Sequence, residues 1–95
     1  MQYRQLGKIK APLSVIGFGG GAISGQGKGY GFGDISEQDS IDLLIEAKNC
    51  GINAFDTAPI YGFGMSEQRI GKAFRSCRDQ VFIASKAGIL SLIHI

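Results

Sequence analysis

Ninety-five residues, 44% hydrophobic and 19% charged, suffice for one small globular unit and exclude a chain disordered throughout. A net charge of +2 without a lysine or arginine cluster argues against a nucleic-acid surface, and no run reaches the 18 apolar residues of a membrane span. Cys50 and Cys77 lack metal-ligand spacing and residues 1–5 carry no apolar signal region, so a soluble cytoplasmic protein with reduced thiols and no metal is expected.

Residues 3–14 mix polar and apolar positions, broken by Gly7 and Pro12, which predicts a small hairpin. Val15-Ile16-Gly17-Phe18-Gly19 is a short apolar run that reads as a buried strand. Seven of the fifteen glycines then fall between Gly19 and Gly31, and residues 20–34 read as a glycine-rich loop. Ser36 offers a helix N-cap, with Asp39 standing three positions on for the acidic member of a capping box. Ile41, Leu44 and Ile45 form an apolar stripe at helical spacing, widened by Leu43 and Ala47, and Gly51 stops the helix. Residues 52–57 are the next predicted strand, which Pro59 keeps from continuing. Ser66 is the expected cap of a second helix with the stripe Ile70, Ala73 and Phe74, and residues 81–86 are the third strand. The order is β-α-β-α-β with strands apolar almost throughout, the pattern of a parallel sheet covered by helices.

The chemistry concentrates at the ends of these strands. Phe55-Asp56-Thr57-Ala58-Pro59-Ile60-Tyr61-Gly62 closes the second strand, and Lys86 closes the third. An acid, a phenol and an amine make a kit for protonating a carbonyl oxygen. A phenol with its reference pKa of about 10 is a sluggish acid at neutral pH, and a neighbouring ammonium favours the phenolate. A carboxylate keeps that ammonium charged and oriented. Each residue also has a plainer reading: Asp56 as a turn residue capping backbone, Tyr61 as an amphipathic rim residue, Lys86 as a solvated charge. Gly17-Phe18-Gly19-Gly20-Gly21-Ala22 also fits G-x-G-x-x-A, the dinucleotide fingerprint of a Rossmann-type NAD(P) dehydrogenase. That fingerprint requires a helix to open at once, whereas the helix signal here waits until Ser36. A P-loop is excluded, because Ala22 takes its first glycine position and Gly29 follows Lys28.

Tyr3-Arg4-Gln5-Leu6-Gly7, Ile16-Gly17-Phe18-Gly19, Gly51 through Ala58, Tyr61-Gly62, Ser66-Glu67, Ile70-Gly71 and Ile83-Ala84-Ser85-Lys86 together resemble the N-terminal part of the aldo-keto reductases, in order and spacing over residues 3–88. The resemblance implies the first part of a (β/α)8 TIM barrel, opened by a hairpin that plugs its bottom. It implies an oxidoreductase that reversibly reduces aldehydes or ketones with NADP(H), acting on a small-molecule carbonyl or alcohol, without nucleic-acid or membrane partners. By position Asp56, Tyr61 and Lys86 match three of the family's four catalytic residues, at the strand ends where barrel active sites lie. Tyr61 is then the general acid, Lys86 depresses its pKa, and Asp56 pairs with Lys86. Gly19, Gly20 and Gly21 match the stretch beside the nicotinamide, so with Asp56 and Lys86 they are the expected cofactor contacts.

The fourth catalytic residue of that family is a histidine on the following strand, and this chain stops short of it. His94 follows Lys86 by only eight residues and does not take its place. A complete barrel of this kind takes about 250 residues, so these residues read as a fragment inactive alone, with unpaired edges that favour aggregation. A nicotinamide-binding regulatory or partner subunit of the same fold is the other implied role. Leu90-Ser91-Leu92-Ile93-His94-Ile95 can be encoded by CTG TCT CTT ATA CAC ATC, similar to a transposon-end adapter of sequencing libraries. Residues 1–89 are accordingly read as the barrel portion and residues 90–95 as a non-native tail.

Overall fold

The computed structural model describes residues 1–25, 31 and 33–87. Part of the glycine-rich loop, His94 and the tail 90–95 therefore lie outside the described residues. Strand β1 (Tyr3–Arg4) pairs antiparallel with β2 (Leu13–Ser14), Tyr3 opposite Ser14, which is the expected hairpin. Gly7, at φ 55°, supplies the left-handed residue its turn requires.

Strands β3 (Phe18–Gly19), β4 (Ala54–Asp56) and β5 (Phe82–Ala84) form a second sheet in that order, all parallel. Helix α1 (Glu37–Asn49) connects β3 to β4, and α2 (Met65–Phe74) connects β4 to β5. This is the predicted β-α-β-α-β order. After β3 the chain makes a 3-10 turn over Gly20–Ile23, and α1 starts only at Glu37, so no helix opens where a Rossmann fingerprint needs one.

Ser36 Oγ accepts from Asp39 N at 3.1 Å, the predicted cap of α1. At the other end Gly51 stands at φ 101°, with Gly51 N donating to Lys48 O and Ile52 N to Ala47 O. Those two bonds are a Schellman closure, which favours glycine at the left-handed position.

The core lies between the sheet and the two helices. Ile23, Leu44, Ala47, Phe55, Ile70, Phe74 and Val81 are buried together. The Phe55 ring packs between Phe18 and Phe74, at centroid distances of 5.8 and 4.6 Å.

Three expectations change. Val15 and Ile16 are exposed and the strand shrinks to Phe18–Gly19. Val15 N donates to Gln2 O and Ser14 Oγ to Ile16 O, so this stretch belongs to the hairpin's exit rather than to the sheet. Leu43 and Ile45 are exposed, since residues adjacent to Leu44 point about 100° away from it around the helix. The buried stripe of α1 is Ser40, Leu44 and Ala47. Finally, Gly64 at φ 98° is the cap position of α2, while Ser66 lies inside that helix and is fully buried.

Asn53 ties the hairpin to the sheet. Its side chain accepts from Ser14 N at 2.7 Å and donates to Pro12 O at 3.0 Å, immediately before β4. The hairpin therefore sits at the N-terminal end of β4, and Asp56 emerges at the opposite end.

Candidate active site

Asp56 is the last residue of β4 and its side chain leaves the sheet into solvent. Past it, buried Thr57, Ala58 and Ile60 anchor the chain. Gly62, Phe63 and Gly64 then take φ of 64°, 53° and 98° in succession and turn it into α2. A non-glycine residue at such a φ is rare, and Phe63 keeps it between two glycines. A β-carbon on Gly62 would collide with the Ser24 carbonyl, so glycine there lets two loops touch. Tyr61 stands between the strand tip and this reversal, with Tyr61 N donating to Ala58 O and Tyr61 O accepting from Ser66 N.

Lys86 lies two residues beyond β5 and brings the three groups together. Its Nζ donates to Asp56 Oδ1 and Oδ2, each at 3.1 Å, and to the Thr57 carbonyl at 2.8 Å. The same Nζ stands 5.0 Å from the centroid of the Tyr61 ring. Desolvation works against the ammonium, but its hydrogen bonds to the Asp56 carboxylate, together with the neighbouring Tyr61, outweigh it and raise its pKa above the ordinary lysine value.

The three predicted glycines sit differently from one another. Gly19 is the register partner of Asp56, and nothing lies within 4 Å of where a β-carbon would stand on it. Gly20 and Gly21 are buried in the 3-10 turn. A β-carbon on Gly20 would stand 2.5 Å from Asp56 O and 2.6 Å from Ser66 Oγ, so that glycine allows the turn to press on the strand tip.

Arg69 carries no role in the sequence reading. It is buried on the inner face of α2, with Nη1 donating to Ile23 O, Ile35 O and Ser40 Oγ. The signal was its place beside Ile70 and three residues after Ser66, on the helix's buried stripe. Among the described residues no group of three or more His, Cys, Asp or Glu side chains could hold a metal, and no helix is long and apolar enough to cross a membrane. Cys50 and Cys77 are free thiols.

The sequence pattern of the Aldo/keto reductase family matches residues 15–93. The chain is 44% identical over 86 residues to a protein of Escherichia coli (strain K12) named NADH-specific methylglyoxal reductase, covering 90% of this chain and 26% of that one. It is 34% identical over 91 residues to L-galactose dehydrogenase of Arabidopsis thaliana, covering 93% and 27%. Among solved structures, aldo-keto reductase AKR11C1 from Bacillus halodurans superposes with a TM-score of 0.76 at 32% identity, over 93% of this chain and 26% of that one. The chain thus spans about a quarter of the length of these curated relatives. Its hairpin and β-α-β-α-β sheet are the N-terminal part of a (β/α)8 barrel.

Proposed function

The chain belongs to the Aldo/keto reductase family, and on that premise we propose that the complete protein is a cytoplasmic oxidoreductase that reversibly reduces a small aldehyde or ketone with a nicotinamide cofactor, NADP(H). The observation that carries this reading is the convergence on Lys86 Nζ of the Asp56 carboxylate and the Tyr61 ring, at the C-terminal tips of adjacent strands.

That geometry supports the following roles. When bound, the reduced cofactor supplies a hydride to the carbonyl carbon. The proton for the carbonyl oxygen comes from the Tyr61 hydroxyl, and Tyr61 regains one from solvent after the alcohol leaves. Lys86 places a positive charge beside the phenol where negative charge develops as that proton departs. Asp56 holds the ammonium through both carboxylate oxygens. The open space over Gly19 beside Asp56 fits the approach of a flat ring. Gly19, Asp56 and Lys86 would hold the nicotinamide end, with Gly20 and Gly21 contributing backbone from the turn below.

Tyr61→Phe in the complete protein tests the assignment. It keeps the ring and removes the proton, so kcat is expected to fall by about two to four orders of magnitude with cofactor affinity kept. Unimpaired turnover by that variant refutes the role. Cofactor binding by the unmodified protein with no carbonyl turnover points instead to a regulatory subunit. Parallel kinetics with NADPH and NADH decide the cofactor, which the relative named NADH-specific makes a direct comparison.

A further inference from the structure

Two consecutive side chains in the first turn of α2 each reach one of the strand tips that carry the charged pair. Ser66 Oγ and Thr57 Oγ1 share a buried hydrogen bond of 2.7 Å. Thr57 directly follows Asp56, and its carbonyl accepts from Lys86 Nζ. Next along the helix, Glu67 Oε2 accepts from Ser85 Oγ at 2.7 Å, and Ser85 directly precedes Lys86. Among the described residues one backbone bond joins the two tips beyond β4, Thr57 N to Ala84 O at 2.8 Å. The turn at Gly20 backs the Thr57–Ser66 pair from the other side, with no room there for even a methyl group.

We propose that Ser66 and Glu67 are positioning residues: a two-point clamp from one helical turn that sets the separation of Asp56 and Lys86 and so holds the ammonium beside Tyr61. The proposal rests on the catalytic reading of Tyr61 and Lys86 and adds to it residues that act through Thr57 and Ser85. Lys86 Nζ ends a flexible four-carbon stem, and Lys86 stands two positions past the last paired residue of β5, Ala84. Among the described residues, without the Glu67–Ser85 bond that stretch is anchored only through the ammonium itself. The bond is exposed, so its contribution to global stability is small and its loss registers in geometry rather than in melting. A displaced catalytic group costs rate steeply even when the fold is intact.

The test uses Glu67→Ala, Glu67→Gln and Thr57→Val in the complete protein, with Tyr61→Phe as a control. Glu67→Ala removes the acceptor for Ser85, whereas glutamine keeps an acceptor oxygen at the same reach. Among the described residues the groups facing Lys86 are Asp56 from β4 and Tyr61 from the loop, while Glu67 reaches only Ser85. Loosening the clamp weakens the pairing that raises the Lys86 pKa. The expected result is a fall in kcat on the order of ten- to a hundredfold for Glu67→Ala, with KM nearly kept, and rescue by Glu67→Gln to within about twofold. Thr57→Val, which keeps the shape and loses the hydroxyl, reproduces the lowered kcat. Exchange of the Lys86 ammonium protons, followed by NMR without substrate, accelerates in Glu67→Ala and is restored in Glu67→Gln. That signal reports the clamp even if no carbonyl is turned over, and a wild-type rate in Tyr61→Phe sinks only the catalytic reading. An unchanged kcat and ammonium exchange in Glu67→Ala, or a glutamine variant as impaired as alanine, overturns the Glu67 half; normal kcat in Thr57→Val overturns the Ser66 half.

Discussion

Two cations of this chain live under opposite conditions. Arg69, in the seam between α1 and α2, is 5% exposed and spends its bonds on two backbone carbonyls and one hydroxyl. Its Nε is buried without a partner. Lys86, at the strand tips, has a side chain 42% exposed and faces a carboxylate and an aromatic ring. A buried charge held by neutral acceptors joins pieces of backbone that cannot satisfy one another, here the turn ending at Ile23, the entry to α1 at Ile35 and the helix α2. A charge held at the surface by another charge adds little to the fold, so its partners have to be explained by what they do together.

The widest separation between the two regions comes from neutralising each cation in the complete protein. Arg69→Met leaves the buried Ile23 carbonyl, the part-buried Ile35 carbonyl and the Ser40 hydroxyl without a donor, and is expected to lower the unfolding free energy by about 3 kcal/mol or more. Turnover of the molecules that remain folded should stay close to normal. Lys86→Met should do the reverse: its melting temperature barely moves and carbonyl reduction collapses. Denaturant titration and steady-state kinetics on both variants give the crossed pattern. A neutral Arg69→Met, which well-packed apolar replacements of buried charges sometimes achieve, would show that packing rather than its hydrogen bonds joins the seam.

Much of this arrangement was readable from the chain. Parallel strands announced themselves as short apolar runs, the cap at Ser36 and the stop at Gly51 as local chemistry, Asp56 as a strand-end residue, and Tyr61 and Lys86 as residues just beyond strand ends. Local hydrogen bonding is encoded locally, so it survives a reading without coordinates. What escaped depends on which face meets which. Ser66 looked like a cap because serine favours that position, yet contact with Thr57 across nine residues draws it inside the helix. Leu43 and Ile45 looked like core because α1 has hydrophobic residues on more faces than it buries. Arg69 gives no such sign, because a charged residue reads as surface until burial is known.

Gly20 touches both regions and gives a sharper, smaller effect. Gly20→Ala places a methyl against the Asp56 carbonyl and Ser66 Oγ, and the obstacle is backbone that cannot swing away. An overpacking cost of about 1–3 kcal/mol is expected. Because the displaced carbonyl belongs to Asp56, kcat should fall with it. Gly19→Ala, one residue earlier, meets nothing within 4 Å and should leave stability unchanged. Equal destabilisation by both alanines would mean that backbone freedom, not the close approach, makes Gly20 necessary.

The smallest effect tests whether the helix seam can be disturbed without reaching the strand tips. Ser36→Ala removes the hydroxyl that accepts from Asp39 N, a change worth about 1 kcal/mol at an N-cap. Ser36 O still accepts from Ser40 N and Ser40 Oγ, so Ser40 stays in place to receive Arg69. The loss should therefore be confined to α1: a lower unfolding free energy, restored by Ser36→Asp, with kcat and its pH profile unmoved. Should kcat drop along with stability in Ser36→Ala and recover in Ser36→Asp, the seam and the strand tips would be one cooperative unit, coupled through α2, whose Arg69 grips the first region and whose Ser66 and Glu67 touch the second.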